Sequence, residues 1–223
     1  MTAQGTDATS FAAGMNTGAS GIFTGSATAA FASHNADMSD LPLSSTLITL
    51  KGQVNNYAKA ALAKTSGAAT LSQVGNTYTL DFGTLTFGSA SLVDALQVLN
   101  GASGLADLLA GSFDVSGVGA EFGLSGFGPF SGLAAGAGQG GLLVSFASGT
   151  LGSFTDSIVL HAFGSNASGY NAALFDTTLV LQGSVVGINA VPEPGTNLMI
   201  FIGLLGLVGM GRARRAKAIA DAA

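Results

Sequence analysis

Between Thr77 and Val186 apolar side chains recur at every second position, in short runs separated by Gly, Ser and Asn. Tyr78, Leu80 and Phe82 alternate with Thr79 and Asp81, and Thr84-Leu-Thr-Phe-Gly88 carries the run past Gly83. Phe113-Asp-Val-Ser-Gly117 is a short run closed by a turn signal, and Leu142, Val144 and Phe146 share a face. Phe154, Asp156, Ile158, Leu160 and Ala162 line one side of a longer run, which puts Asp156 at an exposed end or a bulge. Thr177, Leu179, Leu181, Gly183 and Val185 alternate with Thr178, Val180, Gln182 and Ser184. A period of two is that of a strand with one buried face, and evenly spaced turn signals turn such strands into an antiparallel sandwich. The pattern therefore predicts an all-β module. Leu92-Val-Asp-Ala-Leu-Gln-Val-Leu99 fits a helical face nearly as well, as does Leu105–Leu109. The first is read as a strand, because Tyr78–Phe87 otherwise lacks a partner.

The same pattern occurs twice. Gly21-Ile-Phe-Thr-Gly-Ser26 answers Gly152-Ser-Phe-Thr-Asp-Ser157 at an offset of 131. The match runs without a gap through Asn35/Asn166, Ala36/Ala167, Leu43/Leu174, Thr46/Thr177, Leu50/Leu181, Gly52/Gly183 and Val54/Val185. Upstream, Ser10-Phe-Ala-Ala-Gly14 answers Ser145-Phe-Ala-Ser-Gly149 with a small change in length. A constant offset carrying the same apolar and glycine positions marks a repeat of domain length. It divides the chain into 1–55, the closing half of a sandwich repeat; 56–69, a linker or the opening of the second copy; 70–190, a complete module; 191–217, a tail signal; and 218–223, a terminal extension. The half-copy leads to the expectation that opening strands and a signal peptide lie upstream of Met1.

Composition narrows the function. Of 223 residues 48% are hydrophobic, 9% are charged and 34 are glycine, which suits neither a charge-rich disordered chain nor a helical cytoplasmic enzyme. Before the tail, Lys51, Lys59 and Lys64 stand against ten carboxylates up to Asp176. Nucleic acid binding has no basic footprint here. The absence of cysteine is compatible with export without disulfides. No cation precedes Lys51, however, so the first residues lack the charged start of a secretory signal.

The tail carries the sharpest signal. Val191-Pro-Glu-Pro194 precedes an apolar run from Leu198 to Met210, followed by Arg212, Arg214, Arg215 and Lys217. From Leu198 to Gly211 there are 14 residues, about 21 Å of helix, where a bilayer core asks for about 20 residues. Glycines at 203, 206, 209 and 211 suit close helix contacts inside a membrane. Cations after the run hold it with that end in the cytoplasm.

This order of parts resembles the PEP-CTERM sorting signal of Gram-negative bacteria. The resemblance implies an exosortase-type membrane peptidase as partner, with Pro192, Glu193 and Pro194 as its recognition motif. Arg212, Arg214, Arg215 and Lys217 would be the basic stop. It further implies export, an intermediate anchored in the inner membrane by a short transmembrane helix, and a final place at the cell surface or in the extracellular matrix. Exopolysaccharide is then a candidate partner. Two departures stand out: the basic cluster is interrupted as Arg-Ala-Arg-Arg-Ala-Lys, and six residues follow it.

The body resembles the immunoglobulin-like modules of the bacterial choice-of-anchor group, related to the abnormal-spindle/MSP-type sandwiches. The words that carry this are Leu80-Asp-Phe-Gly83, Gly111-Ser-Phe113, Leu133-Ala-Ala-Gly136 before Val144-Ser-Phe146, Gly152 to Asp156, and Leu181 to Val185. An immunoglobulin-like antiparallel β-sandwich is the fold this implies.

Catalytic constellations are missing from the sequence. His34 and His161 are the only histidines, and His34 answers Ser165 rather than His161. His161 reads as a solvent-face residue. No serine lies in a Gly-x-Ser-x-Gly elbow followed by Asp and His. Asp81, Asp94, Asp107 and Asp114 are spread over separate elements instead of one calcium loop. Asn166-Ala-Ser168 reads as a turn, and Gly132–Gly141 lacks the Lys-Ser/Thr of a phosphate loop. No cofactor or metal is expected. The expectation is a non-enzymatic exported surface or matrix protein. One alternative is a polysaccharide- or protein-binding adhesin, using aromatics near Phe127–Phe130 and Asn166–Tyr170. The other is the anchoring end of an exported hydrolase.

Overall fold

The computed structural model describes residues 11–188 and 199–205. The chain divides into two units, Met1–Val185 and Val186–Ala223. The described part of the first is almost entirely β. In chain order its strands are β1 (Gly21–Ala29), β2 (Ala32–Asn35), β3 (Met38–Pro42), β4 (Thr46–Val54), β5 (Ala60–Ser66), β6 (Thr70–Val74), β7 (Thr77–Thr86) and β8 (Leu92–Asn100). There follow β9 (Leu108–Asp114), β10 (Phe122–Ser125), β11 (Phe130–Leu133), β12 (Gly138–Phe146), β13 (Gly152–Ser165), β14 (Asn171–Ala173) and β15 (Thr177–Val186).

Two sheets carry the core. One has four strands in the order β10-β12-β8-β5, and the other runs β11-β9-β13-β15-β7-β6 with β14 alongside β13. The period of two is what brings them together. Leu96 and Val98 of β8, with Leu142, Val144 and Phe146 of β12, point into one cluster. Tyr78, Leu80 and Phe82 of β7, Ile158, Leu160 and Ala162 of β13, and Leu179, Leu181 and Val185 of β15 enter the same cluster from the other sheet. Phe146 bridges the two, with ring centroids 5.5 Å from Phe82 and 6.1 Å from Phe154. Burying one such side chain is worth about 1.5–3 kcal/mol. Gly183 makes room for it, since a methyl group there would run into the Phe146 ring.

β7 continues past Gly83 because the strand changes phase at that residue. Gly83 has φ +68°, a region that an L side chain rarely adopts, and its N–H donates to Asp81 Oδ1 at 2.7 Å. Before it the even positions face inward. After it Leu85, at an odd position, packs on the core.

Three sequence expectations change. Leu92–Leu99 is a strand, but not the partner of Tyr78–Phe87: β8 pairs with β5 and β12, whereas β7 lies between β6 and β15. Residues 56–69 are not a spacer, because they contain β5 and bury Ala58, Leu62 and Ala69. Alanine-rich Ala60-Ala-Leu-Ala-Lys64 has little β propensity of its own and is held as a strand by its pairing to β8. Leu105–Leu109 is divided between an isolated bridge, Asn56 with Ala106, and the start of β9.

The 131-residue offset reappears in the hydrogen bonding. Gly21 pairs with Val54 and Ala29 with Thr46, as Gly152 pairs with Val185 and Leu160 with Thr177. Ala32 pairs with Pro42 as Phe163 pairs with Ala173. Asp37 N donates to Asn35 Oδ1 as Ser168 N donates to Asn166 Oδ1, and Leu43 N donates to Phe31 O as Leu174 N donates to Ala162 O. Further upstream the offset needs no change in length. Met15, which lies 131 residues before Phe146, packs against Gly52 as Phe146 packs against Gly183.

Candidate functional site

The polar residues buried in the module serve its architecture. Asp94 is fully buried on the inward face of β8. Its carboxylate accepts from Ala69 N at 3.1 and 3.2 Å and lies 3.1 Å from Lys64 Nζ, which also donates to Ala69 O. The lysine, the acid and the Ala69 amide together pin the turn between β5 and β6. Asn100, also fully buried, donates to Asp107 O at 2.9 Å and Leu133 O at 3.0 Å, and accepts from Lys59 N and Ala102 N. Asp107 accepts from Asn55 Nδ2 at 3.0 Å and Asn166 Nδ2 at 2.8 Å. Every hydrogen-bonding atom of the Asn100 side chain is used internally, so Asn100 joins the loops around it.

Asp156, Asp114 and the two histidines each have a polar partner. Asp156 accepts from Gly119 N at 2.8 Å, at the half-buried start of β13. Asp114 accepts from Ser116 N at 3.0 Å, and the Ser116 backbone and then its side chain hold the carboxyl below its usual range, with a smaller pull from His161. His161 is exposed and lies 3.0 Å from Asp176, and His34 is exposed 2.6 Å from Asp40. Asn166 closes an Asx turn, accepting from Ser168 N at 3.0 Å and Ser168 Oγ at 2.6 Å.

The aromatics separate into two groups. Phe127 stands edge-on to Phe113 at 5.2 Å and Phe130 is buried, so the Phe127–Phe130 loop closes the core instead of presenting rings to solvent. Tyr170 lies 5.8 Å from Tyr57, and this pair borders an open cleft of about 460 Å³ with Lys59, Asn76 and Phe175. Tyr57 and Phe175 are 71% and 88% exposed, the most accessible rings of the module. The Tyr170 hydroxyl is pushed up by lost hydration, then by Tyr57 and Asp107. Sequence reasoning found Tyr170 but missed Tyr57 and Phe175, because Tyr57 lay in the supposed linker and Phe175 outside any alternating run.

Pro192, Glu193 and Pro194, and Arg212, Arg214, Arg215 and Lys217, lie outside the described residues, as do both ends of the Leu198–Met210 run. Within that run Met199–Leu205 is helical and exposed. Among the described residues no helix is long and apolar enough to cross a membrane.

Comparison with known proteins bears on this tail. The sequence profile of the PEP-CTERM protein-sorting motif matches residues 190–215. The tail thus carries the element read by an exosortase-type sorting enzyme, and export with surface sorting follows in general terms. No curated protein matches the chain. Among solved structures, the VesB protease of Vibrio cholerae is similar at a TM-score of 0.35 and 15% identity, over 52% of this chain and 31% of that one. The chain thus spans under a third of that protease's length, and a likeness this weak says nothing about activity.

Proposed function

We propose that this is a non-enzymatic exported protein of the cell surface or extracellular matrix, built from tandem immunoglobulin-like sandwich modules and sorted through its tail. The observation that carries the reading is the sorting motif at 190–215, with Pro192-Glu-Pro194 before an apolar run and a basic end. Proline cannot donate a backbone hydrogen bond and disfavours helix at the residue before it. Pro192-Glu-Pro194 is thus a motif that a membrane peptidase can tell apart from the apolar run that follows. Leu198–Met210 holds the chain in the inner membrane during that step, and Arg212, Arg214, Arg215 and Lys217 keep its end in the cytoplasm. In the body the buried Asp94, Asn100 and Asp107 side chains pin loops, and His34 and His161 sit in exposed pairs with Asp40 and Asp176.

The test is intact mass and cell fractionation in a host that carries the sorting enzyme, with the chain expressed behind a signal peptide. Replacing Pro192, Glu193 and Pro194 by alanine should leave membrane insertion intact and abolish processing. Identical C-termini and identical release from both proteins would refute the sorting role and leave a plain membrane anchor.

A second reading has its own observation. The Tyr57–Tyr170 cleft, with Phe175, Lys59 and Asn76 on its rim, has the exposed rings and polar neighbours that stack and hydrogen-bond a sugar. On this reading the module is a polysaccharide-binding adhesin. Tyr57→Ala with Phe175→Ala should then end retention on the producing organism's purified exopolysaccharide; unchanged retention would remove the cleft from consideration.

A further inference from the structure

β1 and β4 form the same strand pair as β13 and β15, register for register. The second pair is covered on three sides: β9 joins the outer edge of β13, β7 joins the outer edge of β15, and Phe146 of the four-stranded sheet lies over Gly183. Among the described residues β1 and β4 pair only with each other. Ile48 and Leu50 are consequently 41% and 39% exposed, where their equivalents Leu179 and Leu181 are 1% and 0%. An open cleft of about 680 Å³ lies on this face, lined by Met15, Phe23, Gly25, Leu50 and Gly52 among others. One thioether, that of Met15, occupies the place where a phenylalanine and the sheet behind it sit in the second pair.

We propose that the β1–β4 face is a docking surface for a sandwich half with the chemistry of residues 56–151. Such a partner lays an apolar, Phe- and Leu-bearing sheet over Phe23, Ile48 and Leu50, beside the Met15 side chain that already covers Gly52. It also adds strands to the outer edges of β1 and β4. The chain's own second module identifies this occupant, because it contains a strand pair of the same register already covered in that way. A second copy of this chain is a poorer fit. Its residues 56–151 are engaged by its own β13 and β15, leaving only another open pair to offer.

The chain has no cysteine, so Leu50→Cys places a single thiol on the proposed surface. The experiment compares maleimide labelling of this variant in the full chain with labelling in a chain whose residues 1–20 are replaced by a copy of residues 56–151. That junction reproduces the natural step from Leu151 to Gly152, since Gly21 is the equivalent of Gly152. Labelling should be fast in the full chain at every protein concentration and slowed by about 100-fold in the extended one, as for a residue that reacts only on opening. Equal labelling in the two chains would overturn the proposal. So would a prefix that stays unfolded beside a normally melting 56–185 module. Protection in the full chain that rises with concentration, together with dimers in sedimentation velocity, would assign the surface to a second copy and overturn it as well.

Discussion

The hairpins 21–54 and 152–186 have the same register, the same Asx turn and the same closing backbone hydrogen bond, yet one is buried and the other is open. The comparison separates two things usually confounded in β proteins. Strand pairing follows from local pattern: alternation sets the face, and the Asn35 or Asn166 turn sets the register. Burial follows from what the rest of the chain lays on top. In the second hairpin Leu181 is fully buried under the other sheet. In the first, Leu50 pairs with Gly25 as Leu181 pairs with Asp156, and it keeps 39% of its surface.

The widest gap should appear on truncating the equivalent leucines. Leu181→Ala should cost about 2–5 kcal/mol through lost burial and a cavity. Leu50→Ala should stay within about 0.5 kcal/mol, as at an exposed site. Chemical denaturation of both variants in the full chain checks this, and equal costs would break the comparison. A smaller gap is expected at the turns. Asn166 also donates to the buried Asp107, so Asn166→Ala removes a charged hydrogen bond worth about 1.5–3 kcal/mol. Among the described residues Asn35 caps only its own exposed turn, and Asn35→Ala should cost a few tenths of a kcal/mol, about the size of an ordinary surface change. Thermal melts of the two variants measure the difference.

The smallest effect falls on β9, a strand that among the described residues only the second hairpin acquires. Asp114 there has its carboxyl pKa lowered by the Ser116 backbone and side chain. A carboxylate with a depressed folded pKa stabilises the fold above its unfolded pKa and loses that contribution as pH falls through the folded value. The melting temperatures of wild type and Asp114→Asn should therefore differ at neutral pH and converge as pH drops below the usual carboxylate range. A constant difference across that range would detach Asp114 from the acid response.

Much of this arrangement was legible in the sequence, for identifiable reasons. Leu142–Phe146, Phe154–Ala162 and Thr177–Val185 alternate cleanly because each has one wet face and one dry face, and the structure buries the faces so expected. The repeat was legible because Gly, Asn and Leu recur at positions that turns and the core demand. β8 was harder. Asp94 and Asn100 stand on its inward face, and two buried polar residues erase the alternation that would have marked it. Their partners, Lys64, the Ala69 amide and the loops around Asp107, come from distant segments that no local window contains. β5 was hidden by its alanines, and the Tyr57 side of the aromatic cleft was hidden with it. The tail was the reverse case, since Pro192-Glu-Pro194 and the basic end are written in consecutive residues and needed no fold to be read.

Native-state hydrogen exchange on the intact chain tests most directly whether one strand pair exists in a covered and an open form. Both edges of β15 are paired, so the amides of Leu179, Leu181 and Val185 should exchange only through unfolding of the module. Among the described residues β4 is paired on one edge, and its face is open. The amides of Ile48, Leu50 and Val54 should therefore exchange at least about 100-fold faster, a gap of about 2.8 kcal/mol. Equal protection in the two hairpins would contradict the account.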